Sequence, residues 1–265
     1  MPTLSNPPLA DAAALAPVLA SRGEDLVLLS GPHSRLGELW RVLGIALEFI
    51  QGFRALHFVG PCVTVFGSAR CTQPHPSYDL GRALGRRIAT ARFTVMTGGG
   101  PGVMEAANRG AREAGGCSVG CNIRLPAEQQ PNAYLDSWTS CRHFFVRKVL
   151  LFKYSYAFVA VPGGLGTLAE LFEALTLIQT RKIQNFPVVL IGTTYWQPLV
   201  DLLAHMLAEK TIDEGDLKLL LVTDDLDVVM EHLERHAVHQ FGLDRGPRPK
   251  PSRWLGESAP RTASS

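Results

Sequence analysis

From Cys62 onward, short apolar runs alternate with segments of helical periodicity, and that alternation leaves few folds open. The runs are Val63–Phe66, Thr94–Met96, Ser118–Ile123, Ala157–Val161, Val188–Ile191 and Leu219–Val222. Helical segments separate or follow most of them: Tyr78–Ala91, Val103–Ala114, Phe144–Tyr154, Leu168–Thr180, Trp196–Glu209 and Asp225–His236. Short β-rich runs alternating with helices predict βαβ units, and so an α/β fold: a doubly wound, Rossmann-like parallel sheet with helices on both faces. In such folds ligands sit at the carboxyl ends of the strands, which makes the strand-to-helix turns the places to read.

Three regions follow from this reading. Residues 1–33, rich in Ala, Pro and Ser, are expected to be poorly ordered or only partly helical. Residues 34–243 form the Rossmann-like domain, led by a helix over Arg35–Phe53 in which Leu36, Leu39, Trp40, Leu43, Leu47 and Ile50 recur at three- and four-residue steps. That amphipathic helix packs on the main domain or on a partner. Residues 244–265 carry four prolines and no apolar period, and are expected to be disordered.

Charge and composition exclude several classes. The chain has 26 basic and 24 acidic residues, and the tail from Asp244 holds five of the basic and two of the acidic ones, leaving the body at −1. A nucleic-acid-binding domain normally shows a basic excess, so no nucleic-acid partner is expected. The most apolar stretch, Phe144–Val161, is interrupted by Arg147, Lys148 and Lys153, so no membrane span is expected either. The N-terminus lacks a basic n-region and reads poorly as a signal peptide. Five unclustered cysteines without a C-x-x-C pair suit buried thiols in a reducing compartment, and a cytoplasmic location. His232, His236 and His239 share a helical face but lack the H-E-x-x-H glutamate; they read as an exposed polar face, with no metal site.

The first informative turn is Gly67-Ser68-Ala69-Arg70. Gly67 lets backbone approach a ligand, and Ser68 and Arg70 can donate to hydroxyls or phosphate; a tight turn with a solvated Arg is the equal alternative. The second is Gly98-Gly99-Gly100-Pro101-Gly102, running into Val103-Met104-Glu105. Its glycines turn backbone N–H groups outward at a helix start, where the dipole favours an anion. No Gly-Lys-Ser/Thr follows, so it is not a P-loop. Glu105 either contacts a ligand or complements the dipole.

The third turn is the most informative: Pro162-Gly163-Gly164-Leu165-Gly166-Thr167-Leu168-Ala169-Glu170. Gly164-x-Gly166-x-x-Ala169 fits a relaxed dinucleotide fingerprint, but the next strand region, Asn185–Gly192, lacks the acidic residue that a dinucleotide ribose wants. A single phosphate suits the turn better than NAD. Thr167-x-x-Glu170 also reads as a capping box, a purely structural alternative. Upstream, Phe144–Phe152 is apolar nearly all round and is expected to be buried. Arg147 within it then needs a carboxylate or phosphate, whereas Lys148, on another face, can reach solvent by snorkelling.

Taken together these residues resemble the Lonely Guy (LOG) family of cytokinin riboside 5′-monophosphate phosphoribohydrolases, often mislabelled lysine decarboxylases. The resemblance spans about residues 61–241. Gly98-Gly99-Gly100-Pro101-Gly102-Val103-Met104 looks like the family's first motif, Pro162–Glu170 matches its P-G-G-x-G-T-x-x-E motif, and Arg147-Lys148 matches its Arg-Lys pair. The resemblance implies cleavage of the N-glycosidic bond of nucleoside 5′-monophosphates, AMP or N6-modified AMP, to free base and ribose 5-phosphate. It implies Arg147 and Glu170 as catalytic pair, Gly163, Gly164, Gly166 and Thr167 on the phosphate, no cofactor, and a homodimer or higher homo-oligomer. Gly67, Ser68, Arg70, Gly99, Gly100, Met104, Glu105 and Lys148 complete the expected substrate-binding set. Glu105 stands where many members carry glycine, and Phe144-Phe145-Val146 where many carry Met-His-Glu; both changes fall on the expected base-binding side.

Glycosidic cleavage passes through an oxocarbenium-like state, which a carboxylate near the anomeric carbon can stabilise while activating water; Glu170 is the candidate. Arg147 does not deprotonate, so its expected work is to hold Glu170 and a ribose or phosphate oxygen. Solvent or Glu105 would protonate the leaving base. Two alternatives stand beside this: a nucleotide-binding or carrier module without turnover, and decarboxylation on pyridoxal phosphate, for which Lys148 and Lys153 are the only nearby lysines.

Overall fold

The computed structural model describes residues 24–125, 130–184, 186–217 and 220–236. The expectations for residues 1–23 and for the tail, like His239 and the start of the last strand at Leu219, lie outside them. The strands are β1 (Cys62–Phe66), β2 (Thr94–Thr97), β3 (Ser118–Ile123), β4 (Ser137–Cys141), β5 (Ser155–Ala160), β6 (Val188–Ile191) and β7 (Leu220–Thr223). The helices are α1 (Glu24–Leu29), α2 (Arg35–Leu56), α3 (Pro76–Thr90), α4 (Val103–Glu113), α5 (Phe144–Tyr154), α6 (Leu165–Gln179), α7 (Thr193–Ala208) and α8 (Leu226–Leu233).

The strands form one parallel sheet in the order β4-β3-β2-β1-β5-β6-β7. The doubly wound expectation therefore holds, with its switch point between β1 and β5. Every residue of β1 and β2 is buried, because helices cover both faces. On one face Phe66, Met96, Phe158 and Leu190 pack against Leu150 and Leu151 of α5, Leu171 of α6 and Trp196 of α7. On the other, Val63, Val65 and Val159 meet Leu84 and Ile88 of α3, Ala107 of α4 and Leu233 of α8. Adjacent residues of one strand belong to opposite layers, as the two-residue strand period requires.

Strand β4 was not expected. Its sequence, Ser-Trp-Thr-Ser-Cys, is polar at Ser137, Thr139 and Ser140, and Trp138 and Ser140 are exposed. An edge strand paired only with β3 needs no continuous apolar run, so it gives no such signal.

Two helices differ from expectation in what they bury. The α2 stripe of Leu36, Leu39, Trp40, Leu43, Leu47 and Ile50 faces solvent, with Trp40 66% exposed. Instead α2 docks by Glu48, Gly52 and Leu56, with Phe49 and Phe53 partly buried beside them. The stripe therefore does not pack on the domain. Helix α5 buries Val146, Leu150 and Leu151 but exposes Phe144, Phe145 and Val149. It lies on the surface of its layer, buried on one side only.

Candidate active site

The three glycine-rich turns meet at the switch point and are tied there by backbone. Ser68 N–H donates to Pro162 O at 3.0 Å, and Val103 N–H donates to Ser68 O at 3.1 Å. Gly102 adopts a φ of +70°, and a Cβ there would overlap Ser68 O, so only glycine lets the second turn close on the first. The Ser68 hydroxyl accepts from Arg70 N–H at 3.1 Å, leaving the Arg70 side chain exposed at the rim.

A buried amide network supports the second turn from below. Thr97 Oγ1 donates to Asn108 Oδ1 at 2.6 Å and accepts from Gly99 N–H at 2.9 Å. Asn108 Nδ2 donates to Ser118 Oγ at 2.8 Å. Asn132 Nδ2 donates to the carbonyls of Gly99 and Gly100, each at 3.2 Å. Gly99, with φ +73°, lies so close to Asn122 that any Cβ would overlap its Oδ1. That buried Oδ1 finds no donor among the described residues.

Beneath these turns α5 and α6 bring Arg147 and Glu170 together. Arg147 Nη1 lies 3.5 Å from Glu170 Oε1, with 12% and 4% of the two side chains exposed. Arg147 Nε donates to Cys121 O of β3 at 2.9 Å, which fixes the plane of the guanidinium. Arg147 thus has the carboxylate that its burial called for. Glu170 Oε2 is buried with no hydrogen-bond partner among the described residues. Burial pushes the Glu170 carboxyl above its ordinary range, and the charges of Arg147 and Lys148 pull part of the way back.

The capping-box alternative is overturned. Helix α6 begins at Leu165 with Gly164 as its N-cap and no side-chain cap bond. Thr167 is the third helical residue, so its hydroxyl is not at the cap position, and Glu170 lies beyond the first turn in the buried layer. Thr167 Oγ1 instead folds back on Gly163, where a Cβ would overlap it. A Cβ on Gly164 or Gly166 would meet no described atom within 4 Å, so both present open backbone at the helix start. Tyr195 Oη donates to Gly163 O at 2.6 Å and holds the turn from α7.

Other expected residues are more occupied. Lys148 Nζ lies 2.5 Å from Glu173 Oε2, an ion pair rather than a solvated head. Glu105 accepts from the Tyr78 hydroxyl at 2.9 Å through Oε1. Met104 faces the site, its Sδ 2.8 Å from where a Cβ on Gly98 would stand. Asn108, Asn122, Asn132, Tyr78 and Tyr195 escaped the sequence reading. Asn108 alone carried a signal, as a polar residue among the small ones of the buried face of α4.

A doubly wound sheet whose switch point is framed by glycine turns over a buried Arg–Glu pair is that of a Rossmann-like α/β protein. The chain belongs to the LOG family: residues 104–233 match the family model described as "Possible lysine decarboxylase", and the relatives agree. It is 30% identical over 170 residues to the cytokinin riboside 5′-monophosphate phosphoribohydrolase of Rhodococcoides fascians, covering 62% of this chain and 85% of that one. It is 24% identical over 195 residues to the pyrimidine/purine nucleotide 5′-monophosphate nucleosidase of Escherichia coli K12, covering 67% of this chain and 42% of that one. Among solved structures, the Moco carrier protein from Chlamydomonas reinhardtii is similar at a TM-score of 0.51 and 25% identity, over 68% of this chain and 99% of that one.

Proposed function

We propose that this protein hydrolyses the N-glycosidic bond of nucleoside 5′-monophosphates, with AMP or an N6-modified AMP as substrate. The observation that carries the reading is Glu170: a buried carboxylate with one oxygen beside Arg147 and the other unpartnered among the described residues. A carboxyl in that state costs the fold free energy, and a perturbed buried acid of this kind is characteristic of a functional site. In the proposed mechanism the phosphate lies on the α6 start, met by backbone N–H groups around Gly164 and Gly166 and by the helix dipole. Glu170 Oε2 faces the anomeric carbon, stabilises the developing oxocarbenium charge and takes a proton from the attacking water. Arg147 stays protonated and orients Glu170 through Oε1. Water attack breaks the C–N bond, and a proton from solvent or Glu105 completes the free base.

The similarity to a carrier protein favours a second reading, nucleotide binding without turnover. It accounts for the glycine turns but leaves the buried Arg147–Glu170 pair without a task. The decarboxylase reading has less support, since Lys148 Nζ is engaged by Glu173 Oε2 at 2.5 Å. Incubation with a panel of nucleoside monophosphates, reading free base by chromatography, decides between hydrolysis and carriage. Release of base from at least one monophosphate is expected; tight binding without release would establish the carrier.

A further inference from the structure

The helix that carries Arg147 does not cap itself. His143 stands at the N-cap of α5 without a side-chain bond to the helix start, and the first turn has no acidic residue. The cap comes from the N-terminal helices. Glu48, buried on α2, accepts through Oε1 from Arg142 N–H at 2.7 Å and from His143 N–H at 3.2 Å. Its Oε2 lies 2.8 Å from His143 Nδ1 and 3.7 Å from Arg142 Nε. Asp25 of α1 accepts from Phe144 N–H at 3.2 Å. One turn along α2, Gly52 brings the two helices so close that a Cβ would overlap Leu150. Both carboxylates lie ahead of residues 104–233, which match the family model.

We infer that Glu48 is a positioning residue for the catalytic centre, acting through the first turn of α5 on Arg147. Arg147 N–H donates to His143 O at 3.2 Å, so the residue that Glu48 grips is also the one that fixes the Arg147 backbone. A buried carboxylate on the docking face of α2 would be costly by itself; here it is matched by orphan N–H groups and by the positive end of the α5 dipole. Helices α1 and α2 thereby become part of the active-site scaffold. An ångström of drift at Arg147 would misplace Glu170, and misplacement of that size can cost about a hundredfold in rate.

The inference rests on the hydrolytic reading for its kinetic test, in which steady-state kinetics on AMP compare Glu48→Ala with Glu48→Gln. Both are assayed well below their melting temperatures. Glu48→Ala should lower kcat at least about tenfold with KM within about twofold, because the turns assigned to phosphate are built on other elements. Glu48→Gln keeps an acceptor for the two N–H groups and should hold kcat within about threefold of wild type. An unchanged kcat in folded Glu48→Ala, or a loss carried wholly by KM, overturns the inference. If Glu48→Ala does not fold, Glu48→Asp replaces it with the same two outcomes. If the wild type releases base from no monophosphate, the hydrolytic reading fails alone, and the crystal structure of the variant decides this one. Arg147 Nε detached from Cys121 O supports it; a guanidinium in its original place overturns it.

Discussion

Arg147 and Gly98 are in contact across the site: the guanidinium Nη2 lies 2.6 Å from where a Cβ on Gly98 would stand. The second glycine turn and helix α5 are thus fitted to each other at atomic range. Gly98→Ala should therefore displace the guanidinium. Its backbone lies outside the left-handed region, so the substitution tests sterics alone. The expected result is a loss of at least about tenfold in kcat with little change in Tm, measured by base release and thermal melting. Wild-type turnover in the variant would show that Arg147 tolerates the shift.

Glu170→Gln keeps the shape of the side chain and removes its charge. Turnover should fall by at least about a hundredfold, the lower end of what a positioned acid–base group contributes. Stability should change little, because the buried carboxyl is itself penalised by desolvation. Arg147→Ala should be worse on both measures, since it leaves Glu170 buried without its cation. Turnover near wild type in Glu170→Gln would remove the carboxylate from the mechanism.

The pH profile follows from the same burial. Glu170 must be ionised to act, and its carboxyl lies above the ordinary 4.5, first by desolvation and then against the pull of Arg147 and Lys148. The acid limb of kcat should therefore sit above pH 4.5. Lys148→Met should move it further up and Glu173→Gln down, because the first removes an attraction and the second a repulsion. The stability sign is the reverse of a salt-bridged carboxylate: Glu170 costs the fold nothing below 4.5, and the cost appears as pH rises through its raised value. An acid limb at or below 4.5 would contradict both statements.

Dependence on the phosphate should be steep. Charge-assisted hydrogen bonds to a phosphate contribute about 1.5–3 kcal/mol each, and 1.4 kcal/mol is about a factor of ten. Losing several should make adenosine at least about a hundredfold poorer than AMP in kcat/KM, and EDTA should have no effect. Comparable values for nucleoside and monophosphate would remove the roles given to Gly163, Gly164, Gly166 and Thr167.

The exposed stripe of α2 is proposed to be covered by a second copy of the chain. Leu36, Leu39, Trp40, Leu43, Leu47 and Ile50 lie on it, with Phe144, Phe145 and Val149 exposed on α5, the helix against which α2 docks. So many large apolar side chains exposed on two touching helices are unusual on a monomer. Light scattering at micromolar concentration should give at least twice the chain mass, and Trp40→Glu should shift it toward the monomer. A monomeric wild type would overturn the proposal.

The fold was legible because parallel strands buried on both faces have to be apolar throughout, as Val188–Ile191 is. The edge strand at Ser137–Cys141 was not legible, because alternate exposure there dilutes the apolar signal. In the site, the glycine turns and the Arg147–Glu170 pair could be read from residue type and order. The supporting amides could not: Asn122 and Asn132 reach Gly99 through contacts that depend on how β3 and the segment after it fold back. Glu48 was hidden in the same way. The stripe at three- and four-residue steps marks the exposed face of α2, and nothing local to Glu48 signals the N–H groups of Arg142 and His143 that it meets from 94 and 95 residues away.

The bonds that join Ser68 to Pro162 and Val103 to Ser68 also bear on how the site is made during synthesis. Strand β1 leaves the ribosome early, yet its neighbour β5 begins only at Ser155, after three further strands have been laid on its other edge. Until β5 inserts, the first turn has no Pro162 carbonyl to close on, and neither Arg147 nor Glu170 has its partner. A nascent chain arrested before residue 170 would have most of its sheet but no Arg147–Glu170 pair, so the joined turns and the pair beneath them should form late and abruptly as the chain lengthens.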